Sequence, residues 1–487
     1  MYRYQKLTSL FLISTLSSSC SDMKILSGGD GSSAVEPATF EGSLTIDFPP
    51  EGKLLRSGVK LEGECVSGLP VVVGGAAPLQ GFELECEDGR YQSDLSFHQA
   101  TPEGDKTLVV RQTNARGASK TVTKVLSHFE FSTYVAVVSR EAKKILLYVS
   151  RVDDGRLKEV ALSEELPVIP ERIFAAPSIQ RFYVTNQGTS LRHFSVHSHV
   201  AQMSPLEITA ADDGASAAEV GTVPSEVVFS ENGEYAYVMR RSPTGGVDVM
   251  TAYAMNPDTG QLSLLESDPA NSLYNRLLFS DSGSIVRPRS LEMTMGSDGA
   301  FTSLEGSTRF VKIRFAASGQ IVGAGSEVGG ITAGPALTIL NRKIDRLYYL
   351  MSPFPNGNIN YSFAVNPDNA FMLSQDLTVF EVPFNHSMKG LFGPNGDFMF
   401  SSLSGQGSIS RYSASQTLTY MDAFTPETGV TGDYELAMDA QGSRLFAAHS
   451  MLSKIFSLNV GPQGALAGSA VLAVPTKPSA IAVISLP

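Results

Sequence analysis

The stretch EVVFSENGEYAYVM, Glu226–Met239, decides the fold. An apolar run, EVVFS, leads into a polar turn at Asn232-Gly233 and then into an aromatic-rich run, YAYVM. Asn-Gly between two apolar runs is a strong hairpin signal, because both residues tolerate the positive φ of a tight turn. ELAMDAQGSRLFAA, Glu435–Ala448, repeats the pattern with Gln-Gly at the turn. Working outward, seven copies of this degenerate unit fill the C-terminal three quarters of the chain. A period of about 45–50 residues built of short strands points to propeller blades.

Seven segments open blades as innermost strands: RIFAA (from Arg172), EVVFS (Glu226), SLEMTM (Ser290), ALTIL (Ala336), GLFGP (Gly390), ELAMD (Glu435) and AIAVIS (Ala480). Seven second strands follow the same rhythm: YVAVVS, RFYVTN, YAYVM, GAFTS, RLYYL, FMFSS and RLFAA. The two sets match only if YVAVVS, at Tyr134, is a second strand whose innermost partner is the last strand of the chain. The expected fold is therefore all-β, a seven-bladed propeller over 132–487 closed by pairing its two ends. Closure hides the strand edges that an open array would expose.

Later in each blade, VDDGRLKEV (Val152–Val160) and NPDTGQLSLL (Asn256–Leu265) read as hairpins with Gly near the tip, and AASGQIVGA (Ala316–Ala324) is a looser form. Together with SENGEYAYVM, these resemble the lactonase-type seven-bladed propellers, the 6-phosphogluconolactonase-like group, over roughly 350 residues. The resemblance implies the fold well and an activity poorly. Lactone hydrolysis needs a base and an oxyanion donor. The family often carries Gly-Pro-Arg-His, or a close variant, before an innermost strand. Here VPSE (Val223–Glu226) and RPRS (Arg287–Ser290) put Ser225 and Ser290 where His is expected, while Arg289 matches the family Arg and Gly334-Pro335 continues into Ala336.

The polar residues near the innermost strands, Arg172, Glu226, Arg289, His386, Lys389, Asp433 and Glu435, are the ligand-binding candidates. Arg289, His386 and Glu435 are those to which catalysis would fall. The commonplace alternative is that all of them solvate the channel rim. A second cluster, His193, His197 and His199, shares one face if its segment is a strand. It could hold a transition metal, or it could be the polar face of an outer strand.

The first 20 residues read as an export leader: Arg3 and Lys6, an apolar run at Leu7–Leu16, then small residues before Cys20. This layout resembles a bacterial lipoprotein signal, which implies lipidation of Cys20 and membrane attachment through it. The sorting position Ser21 resembles the outer-membrane pattern, the alternative being a secreted protein. Residues 21–39, with SGGDGSSA, form a flexible linker. Residues 40–131 alternate over short strands, among them GVKLEGEC, LPVVVGG and KTLVVRQTN, and resemble a bacterial Ig-like sandwich. Cys65 and Cys86, an even pair in an exported chain, read as a disulfide worth about 3 kcal/mol.

Apolar residues make up 42% of the 487, enough to build cores, and the formal net charge is −12. An acidic surface disfavours nucleic acid and anionic lipid as partners. No phosphate-binding loop, dinucleotide fingerprint, nucleophile elbow or zinc-protease motif is present, and no cofactor is implied. The leading expectation is a monomeric, lipid-anchored envelope protein that binds a small anionic or sugar-derived ligand, or a protein partner, without catalysis. The rival is a hydrolase of sugar lactones.

Overall fold

A computed structural model describes residues 39–486 apart from 50–53, 57–58, 76–81, 96–102, 199, 202–205, 207, 213–221, 246, 267–275, 282–283, 286, 294–298, 306–308, 329–334, 352–358, 365–377, 382–385 and 404. The leader, Cys20 and His199 lie outside the described residues. Nearly all regular structure described is β, and seven sheets of at least four strands form the blades.

Blade 1 joins Phe131–Ser139, Lys144–Arg151 and Leu157–Leu162 to the last strand of the chain, Ala480–Ser485. The register runs from Ala480 opposite Val138 to Ser485 opposite Thr133, which is the closure expected from the strand lists. Blades 2 to 7 open on Pro170–Ala176, Val223–Phe229, Arg287–Met293, Pro335–Asn341, His386–Phe392 and Tyr434–Met438. These innermost strands touch one another in ring order, and Ala480–Ser485 closes the circle between blades 7 and 2.

Second strands are largely buried because a blade is covered on both faces by its neighbours. Arg444–His449 is buried at every residue, whereas the outermost Leu418–Phe424 is buried only at Leu418. Proline stands at or near the start of four innermost strands, at Pro170, Pro224, Pro288 and Pro335. One edge of an innermost strand faces the axis and is unpaired, so a residue without N–H is tolerated there. Register shifts follow these prolines, between Pro170 and Arg172, Pro224 and Glu226, Pro288 and Leu291, and Pro335 and Leu337. A bulge re-aims the next side chain, and the residues so re-aimed include Arg172 and Glu226.

The hairpin glycines of the sequence have a structural reason. The first residue of one blade's second strand reaches over the third-to-fourth hairpin of the next blade. Arg181 lies on Gly260, Tyr235 on Gly319, Phe398 on Gly464 and Arg444 on Gly155, each so close that a Cβ would collide. The last contact crosses the closure: Arg444 Nη2 donates to the carbonyls of Asp153 at 2.7 Å and Val152 at 3.2 Å. Blade 6 has no glycine at its tip, and there Arg346 Nε donates to the Gln416 carbonyl at 2.9 Å instead.

Residues before the blades form a small two-sheet unit. Val59–Glu64 pairs with Arg90–Leu95, and a second sheet orders Leu54–Leu55, Ser119–His128, Gly104–Thr113, Val71–Gly75 and Phe82–Leu84. The Cys65–Cys86 disulfide is formed, with both residues in its buried core. SLTIDF, Ser43–Phe48, makes only an isolated bridge at Phe48, with Thr45 and Asp47 bonded singly to the edge of Val59–Glu64. Phe131 already belongs to blade 1.

The unit does not hang from the propeller by one link. Leu54–Leu55 lies between Ser119–His128 and Val200–Ala201, a short strand sent out by blade 2. Glu103 holds Arg151 at 2.9 Å and Arg156 at 2.5 Å, both in blade 1.

Two outcomes follow from this architecture. Removing 479–487 opens the ring, and Gly155→Ala weakens the same seam. At Gly155, φ is +70°, so Ala costs about 1–2 kcal/mol from the left-handed backbone alone, besides displacing Arg444. Calorimetry should show a melting temperature lowered by several degrees for Gly155→Ala, and aggregation or proteolysis for the truncation. Thiol labelling of the denatured protein, purified without reductant, should find Cys65 and Cys86 blocked.

Candidate functional site

The axis of the ring is where the innermost strands bring side chains of different blades together. At the bulge of blade 2, Arg172 Nη1 lies 3.3 Å from Glu226 Oε2 of blade 3. The guanidinium also sits 5.5 Å from the centre of the Phe174 ring, and the Arg172 N–H donates to Thr185 Oγ1 at 3.2 Å. Glu226 is the more enclosed partner, 14% exposed against 35% for Arg172. Ser225 is buried and donates to the carbonyl of Met239 at 3.2 Å, so its hydroxyl is used by its own sheet.

Glu292 of blade 4 completes this group. It is half-buried in the innermost strand of its blade. Burial pushes its pKa up to about 8. The nearby Arg342 and a backbone hydrogen bond from Leu340, both of blade 5, pull it down, and Glu226 pushes it further up. Four consecutive blades thus contribute Arg172, Glu226, Glu292 and Arg342. Burial therefore favours the protonated form of Glu292 around neutral pH. The sequence reading passed over it, although a Glu inside the apolar run LEM was a visible signal.

The other expected residues are placed as follows. Arg289 stands in the innermost strand of blade 4, and His386 and Lys389 in that of blade 6; their side chains lie outside the described residues. Asp433 has a turn role: its Oδ1 accepts from Gly405 N–H at 3.1 Å, and its carbonyl from Ser450 N–H at 3.2 Å. Glu435 is half-buried in the innermost strand of blade 7.

The histidines do not share a strand face among the described residues, because the strand Arg192–Ser195 ends before His197. His193 is buried in the seam between blades, stacked on Tyr183 at 5.6 Å, with Nε2 3.0 Å from Thr209 Oγ1. Burial, helped by Arg181, lowers its pKa to about 4. His197 lies against Phe48 of the small unit, 5.9 Å between ring centres. Among the described residues, no cluster of three or more His, Cys, Asp or Glu is placed to hold a metal ion.

With this geometry in view, two solved structures are similar to the chain. The Bacteroides fragilis protein described as a "putative 6-phosphogluconolactonase" superposes with a TM-score of 0.54 at 13% identity, over 73% of this chain and 98% of that one. A protein from Lactobacillus plantarum gives 0.51 at 11% identity, over 73% of this chain and all of its own. No protein-family model matches the chain, and no curated protein matches it in sequence. The likeness shows the fold alone, a β-propeller.

The two shifted groups give opposite pH dependences. A carboxyl whose pKa rises on folding contributes fully below its unfolded value of 4.5, and that contribution is lost as pH rises through about 8. A histidine whose pKa falls contributes fully above 6.5, and that is lost as pH falls through about 4. Urea unfolding at fixed pH should therefore show Glu292→Gln more stable than wild type above pH 8, with a flatter decline across neutral pH. His193→Phe should lose less stability than wild type between pH 6.5 and 4.

Proposed function

We propose that this is an exported, lipid-anchored envelope protein whose propeller binds a small polar ligand at the channel without turning it over. The observation that carries this reading is the Arg172–Glu226 pair. The carboxylate nearest the bulge, where a base would be wanted, is already matched to a cation, and Ser225 beside it is turned into its own sheet. What the channel offers at neutral pH is a donor set: an Arg, a protonated Glu292 and Arg342. Such groups suit a ligand rich in acceptors, a carboxylate, phosphate or polyhydroxylated sugar acid. Arg289, which the resemblance implies at the same mouth, joins them.

Export through the leader, lipidation of Cys20 and an Ig-like spacer at 40–131 belong to the same proposal. The Cys65–Cys86 bond supports it, since such bonds persist in oxidising compartments.

A second reading, a sugar-lactone hydrolase, is favoured by Glu292 itself, because an acid titrating near 8 is suited to proton transfer. Titration calorimetry with gluconate and 6-phosphogluconate, paired with a pH-stat assay on gluconolactone, separates the two. The expected result is binding that weakens at least tenfold in Arg172→Ala and Arg289→Ala, and is retained in Glu292→Gln, with no hydrolysis above background. Turnover that collapses in Glu292→Gln would establish the hydrolase. Unchanged affinity in both Arg variants would place the ligand elsewhere.

A further inference from the structure

The imidazole of His449 holds a loop of blade 7 in place. His449 ends the second strand, Arg444–His449, and the loop Ser450–Ser453 leads to the third, Lys454–Val460, on the face of the ring where the innermost strands begin. Its Nδ1 accepts from the N–H of Met451 at 3.1 Å and of Leu452 at 3.0 Å. A ring nitrogen that accepts hydrogen bonds carries no proton, so the neutral ring has its hydrogen on Nε2. Nε2 is buried and has no hydrogen-bond partner among the described residues. It rests on Gly432, where a Cβ would stand 3.3 Å from it.

The loop is tied to more than its own hairpin. Ser450 N–H donates to the carbonyl of Asp433 at 3.2 Å, and Asp433 Oδ1 accepts from Gly405 N–H of blade 6 at 3.1 Å. Leu452 packs on the apolar seam between blades 6 and 7. Titratable groups approach the ring from each side. Tyr434, cross-strand from His449, meets it edge-on with 4.7 Å between ring centres. Burial and Glu427 push this phenol up to about 12, so it stays neutral. Lys454, the other cross-strand neighbour, is held by Glu427 at 2.7 Å. Burial lowers the pKa of His449 from its ordinary 6.5, against the opposing pull of Glu427 and Asp433.

We propose that Ser450–Ser453 is an acid-opened latch: protonating His449 releases the loop and loosens the entry of blade 7. A proton on Nδ1 turns the shared acceptor into a donor facing two N–H groups, so both bonds are lost together. The buried imidazolium then has no acceptor in the closed loop, while Glu427 and Asp433 favour the charged ring once the loop opens. With its pKa lowered on folding, His449 holds the closed loop fully above pH 6.5 and ceases to as pH falls through the folded value. The latch does not depend on what the channel binds.

Hydrogen–deuterium exchange of the full chain tests this, with rates corrected for chemical exchange at each pH. Between about pH 7 and about pH 4 the amides of Met451 and Leu452 should lose protection at least tenfold, and regain it on return, while those of Leu445–Ala448 keep theirs. His449→Asn puts an amide oxygen, an acceptor that does not titrate, near the place of Nδ1 and should keep the loop protected at both pH values. His449→Phe should leave it unprotected at both. Should neither variant fold, heteronuclear NMR of the histidine-labelled wild type is the second measurement. Nδ1 of His449 should carry no proton at neutral pH and gain one at the midpoint of loop opening. Wild-type protection that does not change with pH, the same loss in His449→Asn, equal loss across Leu445–Ala448, or a protonated Nδ1 at neutral pH would overturn the latch.

Discussion

The six-residue pairing of Ala480–Ser485 with Phe131–Ser139 is the constraint on which the rest of the molecule depends. It joins residues more than three hundred positions apart, so its loop-closure entropy is met only when all seven blades are in place. In return, no blade is left at the end of a row with an apolar face and an open edge. The Arg444 contact on the Gly155 hairpin lies at the same seam and ties blade 7 to blade 1 a second time. The bulged starts of the innermost strands come to one axis only in the closed ring. The channel group is therefore a product of closure as much as of its own residues.

Between blades, one arrangement is used repeatedly. The first side chain of a second strand covers the next blade's hairpin, and two residues on an aromatic often joins it. Tyr183 donates to the carbonyl of Gly260 at 2.8 Å, and Tyr348 to that of Ser415. Burial pushes both phenols well above their ordinary range, so they remain neutral donors. A hydroxyl carried into an apolar seam is tolerable because it reaches a carbonyl there. The seams are thus specified by polar contacts inside apolar surroundings, which fixes the angle of each blade to the next.

The small unit is built into this frame at blades 1 and 2. A strand of the propeller enters its sheet, Glu103 bridges two arginines of blade 1, and Phe129 beneath them lies against Arg156 and Lys158. These contacts hold the small unit against blades 1 and 2 at several separate points.

The sequence by itself determined the blade count, the strand order and the manner of closure. Those follow from local signals: apolar runs, a turn residue of positive φ, and a count of second strands that exceeds the innermost strands preceding them by one until the last segment, AIAVIS, is used. It also located Arg172 and Glu226 near strand starts, since RIFAA and EVVFS open two of the apolar runs. Only the tertiary structure decided what those residues do. That Arg172 meets Glu226, that Ser225 turns inward, and that burial favours the protonated form of Glu292 are consequences of neighbours on other strands, which the sequence does not mark as partners. The histidines show the same limit: spacing put them on one face, but the strand ended at Ser195, and packing sent His193 into a seam and His197 to the junction. Period is a local property and is written along the chain. Burial, charge pairing and pKa depend on which blades come to lie side by side, and only the closed ring sets that.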